Sequence, residues 1–341
     1  MLAAVKEREG PGIALRTVPA PLPPPGWVRV RVRAAGICGS DLPIVDGRRR
    51  VPLPLIPGHE VAGEVDRLGP GVDGWAPGER VAVGMVVACG RCAACAAAQP
   101  ELCDALVELG IDANGGFADY MVAPAANLHR LPERLSFADA TAADPLASTL
   151  HGLAAVQVTP ADAVAVFGVG VIGLYAVQLA RRAGARRVVA VGRRDDALRL
   201  AQDLGAAVVD LRAQDPVAAV RDLTGGGASV VVEATGAPPV VPQVLASAAK
   251  GARIVVLGVF HEPVPVDLGI VVRRELRLVG RLCYTWDEYE QALALLASGQ
   301  IRPLVSHTFP LSEISRALEL VRRRGAIKVV VEPEPQEEGA R

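Results

Sequence analysis

The first half of the chain shows a two-residue alternation of apolar and polar side chains. Residues 27–32 read WVRVRV, and the stretches HEVAGEVDRLG at 59–69 and GERVAVG at 78–84 are short, rich in valine and bounded by glycine. This period is typical of antiparallel strands with one face in water, and short strands bounded by glycine are typical of a small barrel. The pattern predicts that the first 140 residues are mostly β.

The pattern changes at Pro145, where continuous apolar runs begin to alternate with amphipathic stretches. The runs AVAVFG, RRVVAVG, SVVVEATG and ARIVVLGVF are separated by helical segments such as DALRLAQDLG. Strands that are apolar throughout are buried on both faces, as in a parallel sheet covered by helices on both sides. A doubly wound α/β domain is therefore predicted over residues 146–283.

The remaining residues, 284–341, contain too few strands for a domain of their own. DEYEQALALLASGQI and LSEISRALELVRRRG have helical apolar spacing, and AIKVVVEP reads as a closing strand before an acidic tail that we expect to fray. This stretch is predicted to pack back on the N-terminal domain, residues 1–145.

Length and charge exclude several classes of function. A chain of 341 residues is long enough for two cores, and its formal net charge of −1 provides no basic surface for nucleic acid or an anionic membrane. The first residues lack the features of a secretory signal, and no uncharged apolar run reaches the roughly 18 residues of a membrane helix. We expect a cytoplasmic protein with a small-molecule substrate, and no nucleic-acid or membrane partner.

A glycine-rich turn follows the first strand of the α/β domain. Gly168, Gly170 and Gly173 have GxGxxG spacing between a strand and a helix. Such glycines permit a tight turn, and the amides near Val171 and Ile172 would hold the pyrophosphate of a dinucleotide. Tight packing of strand against helix is the alternative explanation.

The end of the next strand predicts which dinucleotide binds. An acidic residue there would bind the adenosine ribose hydroxyls, but this chain has Gly192 followed by Arg193 and Arg194. Because guanidinium groups bind phosphate with forked hydrogen bonds, we predict NADP(H). The alternative is a solvated surface in which both arginines pair with the aspartates at 195 and 196.

Four cysteines lie close together in the first domain. Cys89, Cys92, Cys95 and Cys103 have the spacing CxxCxxCx7C, within a lobe at residues 88–104. Four thiolates in one short lobe suit tetrahedral zinc in a closed, structural site. The expected compartment disfavours disulfides, whereas an iron–sulfur cluster remains an alternative.

A second set of potential metal ligands has a different composition. Cys38, His59, Glu60 and Asp144 offer sulfur, nitrogen and carboxylate oxygen. Three such ligands leave a coordination position open for water or substrate, which is typical of catalytic zinc. Spacing alone makes this grouping a hypothesis.

The order of the motifs GICGSD, PGHE, the cysteine lobe, GGFADYMV, DPLASTLHGL and the glycine fingerprint resembles the zinc-dependent medium-chain alcohol dehydrogenases, especially their polyol and threonine dehydrogenase branch. The resemblance spans nearly the whole chain. It implies a GroES-like catalytic domain split around a Rossmann domain, an active site in the cleft between them, and a homodimer or homotetramer.

The resemblance also implies roles for individual residues. Cys38 and His59 match two catalytic zinc ligands, Asp41 matches the carboxylate that orients His59, and Ser40 matches the hydroxyl that takes the proton of the substrate. The alternative for Asp41 is a turn residue after Gly39.

Two positions depart from the family pattern. Asp144 stands where relatives have Glu or Cys, and before Pro145 it also fits a helix N-cap, so Glu60 is the alternative third ligand and the two carboxylates could exchange during turnover. Pro43 replaces a histidine that relays the proton to solvent in many relatives.

Together these features predict an NADP(H)-dependent enzyme with one catalytic and one structural zinc, which interconverts a secondary alcohol or polyol and a ketone. Two alternatives are a zinc-free enone or quinone reductase of the same superfamily and a catalytically silent NADPH-binding protein.

Overall fold

The computed structural model describes residues 1–334, and the acidic tail predicted to fray falls outside them at 335–341. The chain divides into two compact units, one formed by Met1–Asp144 and Thr285–Arg341 and the other by Pro145–Tyr284. The first unit is thus interrupted in sequence by the second.

The N-terminal part of the first unit is mainly strand. Its elements are β1 (Leu2–Val5), β2 (Ala14–Thr17), β3 (Trp27–Ile37), α1 (Asp41–Val45), β4 (Glu60–Leu68), β5 (Arg80–Val83), β6 (Val86–Val87), α2 (Ala93–Ala96), β7 (Val107–Glu108), β8 (Tyr120–Pro124), β9 (Leu128–Arg130) and α3 (Phe137–Ala140).

Helix α4 (Ala143–Val156) leads into an alternation of strands and helices. The elements of the second unit are β10 (Ala163–Phe167), α5 (Val171–Arg182), β11 (Arg187–Gly192), α6 (Asp195–Asp203), β12 (Ala207–Asp210), α7 (Pro216–Thr224), β13 (Ala228–Glu233), α8 (Val241–Ser247), β14 (Ala248–Val256), α9 (Leu268–Arg274) and β15 (Arg277–Gly280).

The chain then returns to the first unit with α10 (Trp286–Ala297), β16 (His307–Pro310), α11 (Ile314–Arg322) and β17 (Val329–Glu332). Strand β17 pairs antiparallel with β3, and Val329 lies opposite Ile37. This pairing joins the C-terminal stretch to the sheet of the first unit.

The main sheet of the first unit has the strand order β16-β17-β3-β4-β5-β9, and β8 also pairs with β3. The apolar side chains of β3 after Trp27 are buried, and its arginines occupy the wetter face, where Arg29 pairs with Asp66 and Arg33 with Glu64. The alternation in the sequence therefore predicted this strand correctly, because only one of its faces belongs to the core.

The second unit contains a six-stranded parallel sheet with the order β12-β11-β10-β13-β14-β15. All five residues of β10 are buried, as expected for a strand covered on both faces. The order places β10 and β11 side by side and returns to β13 on the other side of β10, which is the doubly wound arrangement that binds nucleotides at the carboxyl ends of its strands. The predicted fold class is confirmed. Among residues 1–334, no helix combines the length and the apolarity that crossing a membrane requires.

Candidate active site

The four cysteines of the lobe converge around one point. Their sulfur atoms all lie within 4.8 Å of one another, and the Cys92 Sγ is 3.5 Å from Cys95 Sγ and 3.9 Å from Cys103 Sγ. Zinc–sulfur bonds of about 2.3 Å in a tetrahedron imply sulfur–sulfur distances of about 3.8 Å. The cluster therefore fits one tetrahedral ion without rearrangement.

The thiols of the lobe differ in how readily they ionise without metal, since burial and the neighbouring Cys92 raise the pKa of Cys95 to about 11. All four cysteines are free thiols. Backbone amides of Cys95 and Asp104 donate to Cys92 and lower its pKa to about 6, so this thiol ionises readily. Because a thiolate is the form that binds metal, the lobe has a donor ready at neutral pH.

A second cluster forms where β3 ends and β4 begins. The antiparallel register pairs Gly36 with Glu60, which brings Cys38, just after β3, beside His59, just before β4. The ligand atoms of Cys38, His59 and Glu60 lie within 4.8 Å of one another. Sheet pairing thus joins residues that are 21 positions apart in sequence into one donor set of sulfur, nitrogen and oxygen.

Asp41 supports this cluster from the first turn of α1. Its Oδ2 accepts a hydrogen bond of 2.8 Å from the Cys38 amide, and its Oδ1 lies 3.6 Å from His59 Nδ1. Both side chains are buried. An imidazole whose Nδ1 faces a carboxylate presents Nε2 to a metal, so the geometry fits the orienting role.

Burial and charge act in opposite directions on these two groups. Desolvation raises the pKa of Asp41, partly offset by His59. Burial would lower the pKa of His59, but Asp41 and Cys38 raise it well above its usual value. The pocket therefore favours positive charge at the position that a metal ion would take.

Lys328, which the sequence analysis did not single out, lies beside Glu60. Its ammonium group forms an ion pair with Glu60 Oε2 and donates a 3.1 Å hydrogen bond to the Ile37 carbonyl. Both charged side chains are at most 2% exposed. Glu60 Oε1 has no hydrogen-bond partner within residues 1–334, so this carboxylate retains an oxygen that can bind metal.

Gly36 makes room for this ion pair. A Cβ at Gly36 would overlap Glu60 Oε2 and would lie 2.9 Å from Lys328 Cε. Glycine here is therefore a consequence of two charged side chains crossing the backbone of β3 at close range. The sequence does carry a signal for Lys328: it is one of only three lysines, and it interrupts an apolar stretch.

Asp144 is buried but lies outside the cluster formed by Cys38, His59 and Glu60. Helix α4 begins at Ala143, so Asp144 is the second residue of the helix and lies two positions past the N-cap. Its charge helps raise the pKa values of His59 and Lys328. Asp144 is not among the three residues whose ligand atoms meet within 4.8 Å, and its role as a zinc ligand stays a prediction.

Ser40 and Pro43 flank the cluster on α1. Ser40 is the N-cap residue of α1, and its side chain makes no capping hydrogen bond among the described residues. Its half-buried hydroxyl, two residues from Cys38, is therefore not committed to the helix. Pro43 is buried within α1 and offers no proton-carrying group.

The glycine motif of the second unit forms a tight turn between β10 and α5. Gly168 has a φ of +104°, and a Cβ at Gly173 would overlap the Gly168 carbonyl. Helix α5 starts at Val171 with Gly170 as N-cap, so the amides of Val171, Ile172 and Gly173 have no carbonyl of an earlier turn to bind. These amides form an anion site of the type that holds a pyrophosphate.

The residues at the end of β11, where the adenosine of a dinucleotide would bind, have structural roles of their own. A Cβ at Gly192 would overlap Val169 Cγ2, so packing alone requires this glycine. Arg194 donates from Nε to Asp196 Oδ1 over 3.1 Å, as in the alternative of a paired surface, whereas Arg193 is exposed. The described geometry accommodates a phosphate at Arg193 but does not assign one.

Comparison with known proteins agrees with this site. Residues 24–133 match the family model of the alcohol dehydrogenase GroES-like domain, and residues 171–298 match that of the zinc-binding dehydrogenases. These two models together cover more than half of the chain.

Individual relatives match over nearly the full length. The chain is 35% identical to an L-threonine 3-dehydrogenase of Bacillus licheniformis over 98% of this chain and 99% of the relative. It is 33% identical to a sorbitol dehydrogenase of Halalkalibacterium halodurans, again over 98% and 99%.

Among solved structures, a protein of Sinorhizobium meliloti described as a zinc-binding dehydrogenase and bound to NADP superposes with a TM-score of 0.91. It is 35% identical, and the match covers 97% of this chain and 99% of that one. With both domain models matched in order and two metal-ligand clusters of the expected composition, this chain belongs to the zinc-dependent medium-chain alcohol dehydrogenase family.

Proposed function

We propose that this protein is an NADP(H)-dependent zinc enzyme that interconverts a secondary alcohol or polyol and the corresponding ketone. The observation that carries the proposal is the coexistence of two donor sets: a closed cluster of four thiols, and an open cluster of Cys38, His59 and Glu60. The first suits structural zinc, and the second leaves a coordination position for a substrate oxygen. The threonine and sorbitol dehydrogenase relatives support a secondary alcohol as substrate.

When bound, zinc would supply Lewis-acid polarisation of the substrate oxygen and the nicotinamide would exchange the hydride. The residues of the chain do the rest. Cys38 and His59 would hold the metal together with Glu60 or Asp144, and Asp41 would keep His59 in the orientation that presents Nε2. The Ser40 hydroxyl accepts the proton of the substrate alcohol.

Proton release from Ser40 follows a path without histidine at position 43. Pro43 has no titratable group, so Ser40 would pass the proton on to water or to the ribose of a bound cofactor. The pH dependence of turnover should therefore lack a histidine titration at this step. From the proposed use of NADP(H) we also propose that the enzyme reduces the ketone to the alcohol in the cell.

Lys328 controls the availability of Glu60. A buried carboxylate is costly unless a cation compensates its charge. The ion pair with Lys328 provides that compensation, and Glu60 Oε1 has no hydrogen-bond partner within residues 1–334, so this oxygen would be available to a metal ion.

The nucleotide contacts follow from the turn after β10. The free amides of Val171, Ile172 and Gly173 would bind the pyrophosphate, and Gly168 and Gly170 let it approach the backbone. Arg193 and Arg194 would take the adenosine 2′-phosphate, for which Arg194 would exchange part of its contact with Asp196.

We further propose that the protein is a homo-oligomer joined at the edge of the parallel sheet. Strand β15 is an edge strand with largely exposed side chains, including Leu278 at 40%, and Leu268 and Val272 of the neighbouring α9 are 67% and 75% exposed. A second copy pairing along β15 would cover these apolar side chains and the open strand edge.

Metal content and turnover test the main proposal together. We expect two zinc ions and no iron per wild-type chain, with turnover on a panel of secondary alcohols, polyols and ketones. Cys38→Ser should keep one zinc and lose turnover by more than about a thousandfold, since Lewis-acid catalysis supplies several kcal/mol. Cys92→Ser should lose the other zinc and unfold at lower temperature.

Elemental analysis and steady-state assays separate the alternatives. One zinc per wild-type chain with activity on enones would support the zinc-free reductase. Two zincs without turnover on any substrate of the panel would support a silent binder.

The ion pair of Lys328 with Glu60 predicts that substitutions of the two residues have coupled effects on stability. Lys328→Met should lower the free energy of unfolding of metal-depleted protein by about 3–5 kcal/mol, because Glu60 is left as an unpaired buried charge. The double variant Lys328→Met, Glu60→Gln should recover most of this loss. Denaturant titration measures both, with the exposed Lys250→Met as control; additive effects of the two substitutions would contradict the coupling.

Cofactor preference is predicted to depend on the two arginines after β11. Wild type should bind NADPH more tightly than NADH, and Arg193→Ala, Arg194→Ala should reduce the ratio of the two dissociation constants at least about tenfold through lost charge-assisted hydrogen bonds. Arg187→Ala, an exposed position at the other end of the same strand, serves as control in the calorimetric titration. A wild-type preference for NADH would overturn the assignment.

Light scattering checks the assembly. We expect the mass of a dimer or tetramer for wild type and a smaller mass for Leu278→Asp, because a buried carboxylate at the joined edge is costly. Leu22→Asp, at a more exposed position (71%) in the other unit, should leave the mass unchanged. A monomeric wild type would contradict the proposal.

A further inference from the structure

The carboxyl ends of β11 and β12 bring a third arginine to the region of Arg193 and Arg194. The parallel register pairs Gly192 with Asp210, and the Leu211 amide donates to the Gly192 carbonyl over 2.8 Å. Arg193 and Arg212 therefore leave neighbouring strands at the same edge of the sheet, one and two residues after the paired positions. Ligands of doubly wound sheets bind outside this edge.

Arg212 is held in place by two aspartates. Its Nε donates to Asp210 Oδ1 over 2.9 Å and its Nη2 to Asp210 Oδ2 over 2.7 Å, while Nη2 also contacts Asp195. The hydrogen bonds from Arg212 lower the pKa of Asp210 to about 2, so this partner is charged at all physiological pH values. The Asp195 contact extends from the turn after β12 to the first turn of α6.

The guanidinium of Arg212 keeps donors free despite these contacts. It has five N–H groups, and its Nη1 makes no hydrogen bond within residues 1–334. The side chain is 50% exposed. Exposed ion pairs of this kind contribute little to stability, which argues against stability as the only reason for the arrangement.

Pre-orientation is what the two aspartates do provide. A long side chain that is already ordered loses less conformational entropy when it binds a ligand. A guanidinium with one open edge also matches the oxygens of a phosphate. The contact between Nη2 and Asp195 places the guanidinium of Arg212 beside the start of α6, which Arg193 and Arg194 immediately precede.

We propose that Arg212 is a third phosphate-binding arm of the adenosine site, placed to bind the 2′-phosphate of NADP(H) together with Arg193 and Arg194. This inference rests on the proposed NADP(H) preference and adds the residue from the next strand. In this arrangement the two aspartates hold Nε and Nη2 of Arg212, and Nη1 is left to bind the phosphate.

Two adenosine nucleotides isolate the 2′-phosphate from the rest of the cofactor. Calorimetric titration of the full-length protein with adenosine 2′,5′-bisphosphate and with 5′-AMP gives a ratio of dissociation constants that reports this group alone. We expect wild type to favour the bisphosphate and Arg212→Ala to reduce the ratio about tenfold, the effect of a hydrogen bond to a charged group, with 5′-AMP affinity changed less than about twofold.

Two further variants make the test specific. Arg212→Lys keeps the charge but loses the fork, so it should restore only part of the ratio. Arg199→Ala removes the same charge from an exposed position on α6 and should leave the ratio unchanged. The thermal midpoint of each variant shows that it is folded, and Arg212→Lys carries the test if Arg212→Ala does not fold.

The outcomes distinguish this inference from the proposed cofactor preference. If Arg212→Ala leaves the ratio intact while Arg193→Ala, Arg194→Ala removes it, the third arm is wrong and the NADP(H) preference stands. Equal weakening of both nucleotides by Arg212→Ala would show a structural role and also overturn the inference. If wild type binds both nucleotides equally, the NADP(H) proposal itself fails, and the third arm fails with it.

Discussion

The pairing of β3 with β4 is the constraint on which the candidate active site depends. Its register sets Gly36 opposite Glu60, and the residues that follow β3 and precede β4 supply Cys38 and His59. A shift of this pairing by one residue would turn every side chain of β4 to the other face, and the donor set would not form. The extensive valine core on the buried face of β3 therefore fixes the geometry of the metal site as well as the fold.

The same pairing explains why a buried ion pair is tolerated at this place. β3 also pairs with β17, and Lys328 immediately precedes β17, so the C-terminal return delivers a cation to Glu60 from the other side of β3. The absence of a side chain at Gly36 gives both charged groups the space to meet. Removal of either charge leaves the other uncompensated, so the site links the last strand of the unit to the properties of its metal ligands.

In the second unit, backbone amides rather than side chains form the candidate binding site at the glycine turn. Its nucleotide turn requires glycines for reasons of close approach, at Gly168 and Gly173 for the turn itself and at Gly192 for packing against Val169. Beyond the turn, charged side chains lie at the carboxyl ends of β11 and β12. Exposed arginines held by aspartates are a modest source of stability, but an ordered guanidinium at the carboxyl ends of two parallel strands is well placed for an anionic ligand.

The sequence by itself determined the fold class, the parallel sheet and the close spacing of the four cysteines, because apolar periodicity and spacing within a short lobe are local properties. The grouping of Cys38, His59 and Glu60 depended on the register of β3 and β4. The roles of Lys328, Gly36 and Arg212 became visible only in the tertiary structure. Lys328 meets Glu60 only through the pairing of β17 with β3, and Arg212 reaches the start of α6 only through the register of β11 and β12. The helix α4 begins at Ala143, two residues before Pro145, so the proline did not mark its first residue. Contacts between distant segments follow from strand order and register, which no local pattern encodes.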